Sequence, residues 1–139
     1  MSKQSKRHMG GSGEALPAGA VGEVRDSETI VGTTLINTSS RRSICEVTGL
    51  TKGIYVVLGF ASFNTASGSD GTVSIELYDG TTSYAAVAVY NRTTTPECTL
   101  STFTTIRVTA DNTTVSLRAG RTVGQCYNEA RRIMAVRIA

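Results

Sequence analysis

The stretch Lys52-Gly53-Ile54-Tyr55-Val56-Val57-Leu58-Gly59-Phe60-Ala61-Ser62-Phe63 decides how the rest of the chain is read. At period two, Ile54, Val56, Leu58 and Phe60 fall on one face and Tyr55, Val57, Ala61 and Phe63 on the other. A strand in a sheet with one wet face alternates apolar and polar residues. This one is apolar on both sides, so its second face is covered by another sheet, a helix layer or another copy of the chain. Ser83–Tyr90 shares the property, with Tyr84, Ala86, Ala88 and Tyr90 opposite Ala85, Val87 and Val89. Its small alanines let another backbone approach closely.

Outward from these two strands the pattern stays β. Thr72–Tyr78 alternates cleanly, with Val73, Ile75 and Leu77 against Thr72, Ser74, Glu76 and Tyr78, and Asp79-Gly80 marks a tight hairpin after it. Ser43–Thr48 sets Ile44 and Glu46 against Cys45 and Val47. Cys98–Thr109 points Cys98, Leu100, Ile106 and Val108 inward, Thr114–Arg118 buries Val115 and Leu117, and Arg132–Ile138 puts Met134, Val136 and Ile138 on one face. Shorter strands are expected up to Asp26 and over Thr33–Ile36. Asn37–Ser40, Asn64–Gly71 and Asn91–Glu97 have the serine, glycine, asparagine and proline content of turns, and Ala119–Asn128 reads as irregular. No segment carries a period of 3.6. Roughly eight to ten short strands at regular spacing predict an all-β domain, a two-sheet antiparallel β-sandwich and most specifically a jelly roll.

At 139 residues the chain is one domain with a real core. The sandwich is expected over residues 19–139, preceded by an extended basic, glycine-rich arm over residues 1–18 that cannot bury enough to fold alone. Lys3, Lys6, Arg7 and His8 make this arm a candidate anchor on a partner surface. A net charge of +3 permits an acidic partner but lacks the basic stripe of a nucleic-acid binder, so no specific nucleic acid is expected. Met1–Gly13 is polar throughout and no apolar run reaches the length of a membrane span, so neither signal peptide nor membrane is expected.

The chemistry-bearing residues point away from catalysis. The single histidine lies in the arm, which removes Ser–His–Asp and Cys–His arrangements from the domain, and no phosphate-cradling glycine motif is present. Cys45, Cys98 and Cys126 are odd in number and widely spaced, the pattern of reduced, small apolar residues rather than of a zinc site or disulfide framework. Ser67-Gly68-Ser69-Asp70-Gly71 lacks the repeated acidic ligands of a calcium loop. No catalytic residue, metal or cofactor is therefore expected. Glu76 and Asp79 read as a solvated strand face and its turn. Arg41-Arg42 and Arg131-Arg132 read as edge charges, or as an ion-pair patch against a neighbouring subunit.

Three segments resemble a known family. Leu16-Pro17-Ala18-Gly19-Ala20-Val21-Gly22-Glu23 is similar to the lead-in of small β-domains in fibre and capsid-associated proteins of tailed bacteriophages. Gly53-Ile54-Tyr55-Val56-Val57-Leu58-Gly59-Phe60-Ala61 resembles their inner strand, and Ile133-Met134-Ala135-Val136-Arg137-Ile138-Ala139 their closing strand. In the wider sense this is the C1q/TNF-like trimeric jelly roll, and the absence of tryptophan favours its phage side over its secreted members. The resemblance implies a non-enzymatic virion structural protein made in the bacterial host cytoplasm. It implies a homotrimeric knob held by its arm to other virion proteins of the capsid, neck or tail, with head decoration preferred. The alternative is a tail-fibre tip or adhesin that binds a receptor or host cell-surface glycan. On this reading Tyr55, Val57, Phe63, Tyr84, Ala86 and Ala88 form the trimer interface. Ser67, Asp70, Asn91, Arg92, Arg121 and Tyr127 are the candidate binding residues of exposed loops.

Overall fold

The computed structural model describes residues 16–17, 19–65, 70–94 and 96–139. Nine strands follow in chain order: β1 (Val24–Asp26), β2 (Ile30–Ile36), β3 (Arg42–Leu50), β4 (Gly53–Thr65), β5 (Gly71–Tyr78), β6 (Ser83–Asn91), β7 (Glu97–Val108), β8 (Thr113–Arg121) and β9 (Cys126–Arg137). All pair antiparallel, and the described residues include no helix. The pairings β5–β6, β4–β7, β3–β8 and β2–β9 are nested, so the chain is one long hairpin whose tip is the Asp79–Thr82 turn. Rolling that hairpin sends alternate pairs into two sheets, β1-β9-β4-β7 with β2 also on β9, and β3-β8-β5-β6. This is the jelly roll that the alternation of the sequence implies. Rolling also gathers the β3–β4, β5–β6 and β7–β8 turns at one end, where the Lys52 amide donates to Asp111 Oδ1 at 3.0 Å. The β2–β3, β6–β7 and β8–β9 connections lie at the other end, with Thr38 O accepting from the Arg121 amide at 2.8 Å.

The core lies between the sheets. From β4 come Tyr55, Val57, Ala61 and Phe63, facing Val73, Ile75 and Leu77 of β5 and Val115, Leu117 and Ala119 of β8, all essentially inaccessible. Each large side chain so buried stabilises the fold by about 1.5–3 kcal/mol relative to exposure. Gly59 sits on the same inward face. A Cβ there would lie 2.8 Å from Leu117 Cδ1, so bare backbone is what allows the two leucines of the opposing sheet to seat.

Two local expectations change. The segment Ala119–Asn128 is mostly strand: β8 runs through Arg121 and β9 starts at Cys126, leaving Thr122–Gln125 as the turn. In β6 the alternation is reset by a bulge, because Leu77 pairs with Tyr84 but Ile75 pairs with Val87. Ala85 takes the extra place with φ 49°, in the left-handed region, and its carbonyl accepts from Thr102 Oγ1 at 2.5 Å. Tyr84, Val87 and Val89 consequently pack on the core, while Ala86, Ala88 and Tyr90 point out.

Candidate functional site

The outer face of the five-stranded sheet is apolar. Pairing sets three rows across it: Val24, Val136, Val56 and Thr105; Asp26, Met134, Leu58 and Phe103; Arg132, Phe60 and Ser101. Phe103 is 71% exposed, Val24 51% and Leu58 39%, while Phe60, Met134 and Val56 are half-buried beside them. A shallow hollow of about 280 Å³ lies over Leu58, Phe60, Phe103, Met134 and Arg132. Arg132 closes its rim, donating from Nε to Asp26 Oδ1 at 3.0 Å and from a terminal nitrogen to Asp26 Oδ2 at 2.6 Å. That paired guanidinium holds the Asp26 carboxyl below its ordinary value. Contiguous exposed apolar surface rimmed by a fixed charge pair is the anatomy of an interaction surface.

Here the expected interface residues need correction. Tyr55, Val57 and Phe63 lie inside the sandwich, so they fill the core and leave no surface for a sibling subunit. Period two fixes which residues oppose one another, not which set faces in. Gly59 and Ala61 carry the missing signal, because small residues stand where an opposing sheet presses and large Leu58 and Phe60 where none does. Ala86 and Ala88 are exposed, but on β6 of the other sheet, and half-buried Tyr84 donates its hydroxyl to Asp79 Oδ2 at 2.9 Å. The six residues therefore share no surface.

The outer face of the four-stranded sheet carries an ionic cluster on β5 and β8, beside the exposed Ala86, Ala88 and Tyr90 of β6. Glu76 points outward from β5 yet is 1% exposed. Arg118 donates to its Oε2 from Nε at 2.8 Å and again from a terminal nitrogen, Arg41 NH1 pairs with its Oε1, and the Ser83 hydroxyl adds a bond at 3.1 Å. Burial disfavours the charge, but Arg118, Arg41 and Ser83 outweigh it and the carboxyl titrates below its ordinary value. The Arg118 guanidinium also lies 3.8 Å from the Tyr78 ring centre. Arg41 reaches Glu76 because Gly120 is bare: a Cβ there would lie 3.0 Å from both Arg41 Cγ and Ser39 O. Glu76 is thus the hub of an ion-pair network rather than a solvated strand residue. Three of the four paired arginines are absorbed within the chain in the same way, Arg41 by Glu76, Arg132 by Asp26 and Arg131 by the carbonyls of Ile44 and Gly32, while Arg42 is exposed.

Three of the expected binding loops do meet at one end. The Thr93 amide donates to Asp70 Oδ1 at 2.9 Å and the Thr72 amide to Thr122 Oγ1 at 3.0 Å. Asn91 and Arg121 are corrected, however, being 2% and 1% exposed. Arg121 NH1 donates to Asn91 Oδ1 and its Nε to Val123 O, each at 2.8 Å, and Asn91 Nδ2 donates to Pro96 O at 2.8 Å, which makes the pair an internal strut. Arg92 and Asp70 are exposed, Arg92 lies 5.3 Å from the Tyr90 ring centre, and Tyr127 is 38% exposed on β9. Ser67 and the arm residues Lys3, Lys6, Arg7 and His8 lie outside the described residues. Cys45 and Cys126 are buried, and burial pushes the Cys45 thiol up to about 11 and raises that of Cys126, the opposite of an activated nucleophile. Among the described residues no group of three or more His, Cys, Asp or Glu is placed to hold a metal ion.

Comparison with solved structures finds the same jelly-roll fold in a TNF protein and in chains of infectious bursal disease virus. The TNF protein Eiger from S. frugiperda superposes with a TM-score of 0.59 at 9% identity, over 86% of this chain and 94% of that one. A chain of infectious bursal disease virus strain Gx superposes at 0.58 and 10% identity over 90% of this chain, and the VP2 subviral particle of that virus at 0.53 and 13% over 82%. This chain spans 38% and 33% of the two viral chains' lengths. At such identities the likeness is one of fold. No family model and no curated protein matches the sequence.

Proposed function

We propose that this chain is a non-enzymatic virion structural protein that assembles as a homotrimer through the outer face of its five-stranded sheet. The observation that carries the assembly is the exposure of Phe103, Val24 and Leu58 in one continuous apolar surface that no described residue covers. Removing such surface from water is favourable by about 25 cal/mol per Å². The jelly roll shared with a viral capsid chain supports the virion reading by fold-level analogy. In this reading the knob belongs to a bacteriophage assembled in the host cytoplasm. The arm over residues 1–18, with Lys3, Lys6, Arg7 and His8, anchors it to capsid, neck or tail. Decoration of the head is the preferred location in this reading.

Light scattering on the purified chain tests the assembly: a trimer has three times the 14.7 kDa chain mass, and Phe103→Asp reduces it to one. A wild-type mass of one chain overturns the trimer. Electron microscopy of the native particle tests the location, and deletion of Met1–Gly13 is expected to leave a folded trimer that no longer enters particles. A second reading, a receptor- or glycan-binding tip, is favoured by the convergence of three loops through the Asp70–Thr93 and Thr72–Thr122 bonds. Substituting Asp70 and Arg92 would then abolish adsorption to host cells and spare assembly.

A further inference from the structure

At the end of the sandwich opposite those loops, the tip of the long hairpin folds back towards the β7–β8 corner and leaves a cavity of about 410 Å³. Its lining is rich in hydroxyls: Thr81, Thr82, Thr109 and Thr113, with the Tyr84 phenol. Two charged side chains complete it, Asp79 and Arg107. They form no ion pair with each other, and the Arg107 side chain makes no hydrogen bond or ion pair with any described residue. A cation and a carboxylate that line one cavity without touching leave room for a ligand between them.

The hydrogen-bond inventory says what kind. Asp79 Oδ1 already accepts the Thr81 and Thr82 amides at 2.9 and 2.7 Å, and Oδ2 accepts the Tyr84 hydroxyl at 2.9 Å. Oδ2 retains a free acceptor site, and the Tyr84 oxygen, having donated, still accepts. Burial works against the Asp79 charge, but the amides of Thr82 and Thr81 and the Tyr84 phenol outweigh it and hold the carboxyl below its ordinary value. The Thr113 hydroxyl donates to Ala110 O at 2.6 Å and is left as an acceptor. These acceptors call for donors, and the Thr81, Thr82 and Thr109 hydroxyls in the same lining can donate as well as accept, so together they suit ring hydroxyls. Arg107 offers five donors and a fixed charge that suit a planar carboxylate. A dianionic phosphate is a poorer match, because Asp79 shares the cavity and no second cation lines it.

We propose that this cavity binds a carboxylated sugar, with the carboxylate on Arg107 and ring hydroxyls on the Tyr84–Asp79 pair and the threonines. The site lies within one chain and does not depend on trimer assembly. Isotope-labelled protein titrated with glucuronate, glucose and acetate tests it by amide chemical shifts. Glucuronate is expected to saturate, with shifts confined to residues 79–84 and 107–113, and to bind at least about tenfold more tightly than glucose or acetate. Arg107 is exposed at a strand end, so Arg107→Ala should keep the wild-type melting temperature and lose that preference, leaving glucuronate no tighter than glucose. Tyr84→Phe should weaken both sugars while leaving acetate unchanged. The absence of saturable shifts with glucuronate, equal affinity for acetate, or unchanged glucuronate binding by Arg107→Ala each overturns the proposal. Repeating the titration on Phe103→Asp separates it from the assembly reading: retained binding is expected, and loss of binding from a folded monomer overturns the one-chain site.

Discussion

Glu76 and Leu58 both point away from the core, one from the four-stranded sheet and one from the five-stranded sheet, yet Glu76 is 1% exposed and Leu58 39%. The charged residue is the covered one. Arg41, Arg118 and Ser83 surround Glu76, so the outward side chain of β5 is satisfied by side chains of its own chain. Among the described residues nothing covers Leu58 in that way, and Phe103 and Val24 near it are exposed too. Arginine stems finish the surroundings of Glu76; on the proposed reading a sibling subunit would finish those of Leu58. The difference teaches that polarity alone does not tell which outward-pointing residues are covered.

The sharpest break of that comparison falls within β4, at two adjacent residues. Val57→Asp places an unpaired carboxylate in the core and is expected to cost more than about 4 kcal/mol, enough to abolish the cooperative unfolding transition in circular dichroism. A folded, merely dissociated Val57→Asp protein would return the odd face of β4 to an interface. Next in size is Glu76→Ala, which strands Arg41 and Arg118 over an empty site. Both guanidiniums keep some solvent access, at 33% and 25% of their side chains, so the expected loss is about 2–4 kcal/mol in urea unfolding rather than the full cost of an isolated buried charge. A change of less than about 0.5 kcal/mol would make the network an ordinary surface ion pair.

These two residues also mark what was legible in the sequence. Strand positions and the jelly roll followed from period-two alternation and turn chemistry, because register in a sandwich is enforced by burial. The identity of the core face of β4 needed the opposing sheet, since Leu77 and Leu117 lie far along the chain from Gly59. The bulge at Ala85 was hidden because alanine carries no left-handed preference; the position is set by the Thr102 bond across from β7. Glu76 reads locally as the polar half of an amphipathic strand, and Arg41 and Arg118, its partners, stand 35 and 42 residues away. Asn91 and Arg121 were placed in loops by composition but buried by the strut they make together.

Acid probes the same contrast more gently. Glu76, Asp26 and Asp79 all titrate below their ordinary values in the folded chain. Such groups contribute stability that is fully present above their unfolded pKa, near 4.5 for Glu76, and lost as pH falls through the lower folded value. The melting temperature should therefore decline on acidification below about that range, and Glu76→Gln should flatten the slope more than Asp26→Asn does, because Glu76 has two arginines and a serine hydroxyl as partners where Asp26 has one arginine and the Glu28 amide. An unchanged slope in Glu76→Gln would show that its carboxyl titrates alike in the folded and unfolded chain.

Leu58→Asp is expected to perturb the fold least, although it lies next to Val57. Its side chain enters solvent beside Arg132 and Phe103, so no charge is buried in the isolated chain and the circular dichroism spectrum should match wild type. What changes is the coupling of stability to concentration. An assembling protein melts at a temperature that rises with protein concentration, because association draws only on the folded state. Wild type should show that rise, and Leu58→Asp should melt at one temperature across the dilution series, close to the wild-type value at high dilution. If both proteins are insensitive to dilution, the face is not an interface between copies. If both are equally sensitive, copies meet elsewhere, and the exposed apolar rows of β4, β7 and β9 lose their place in the assembly.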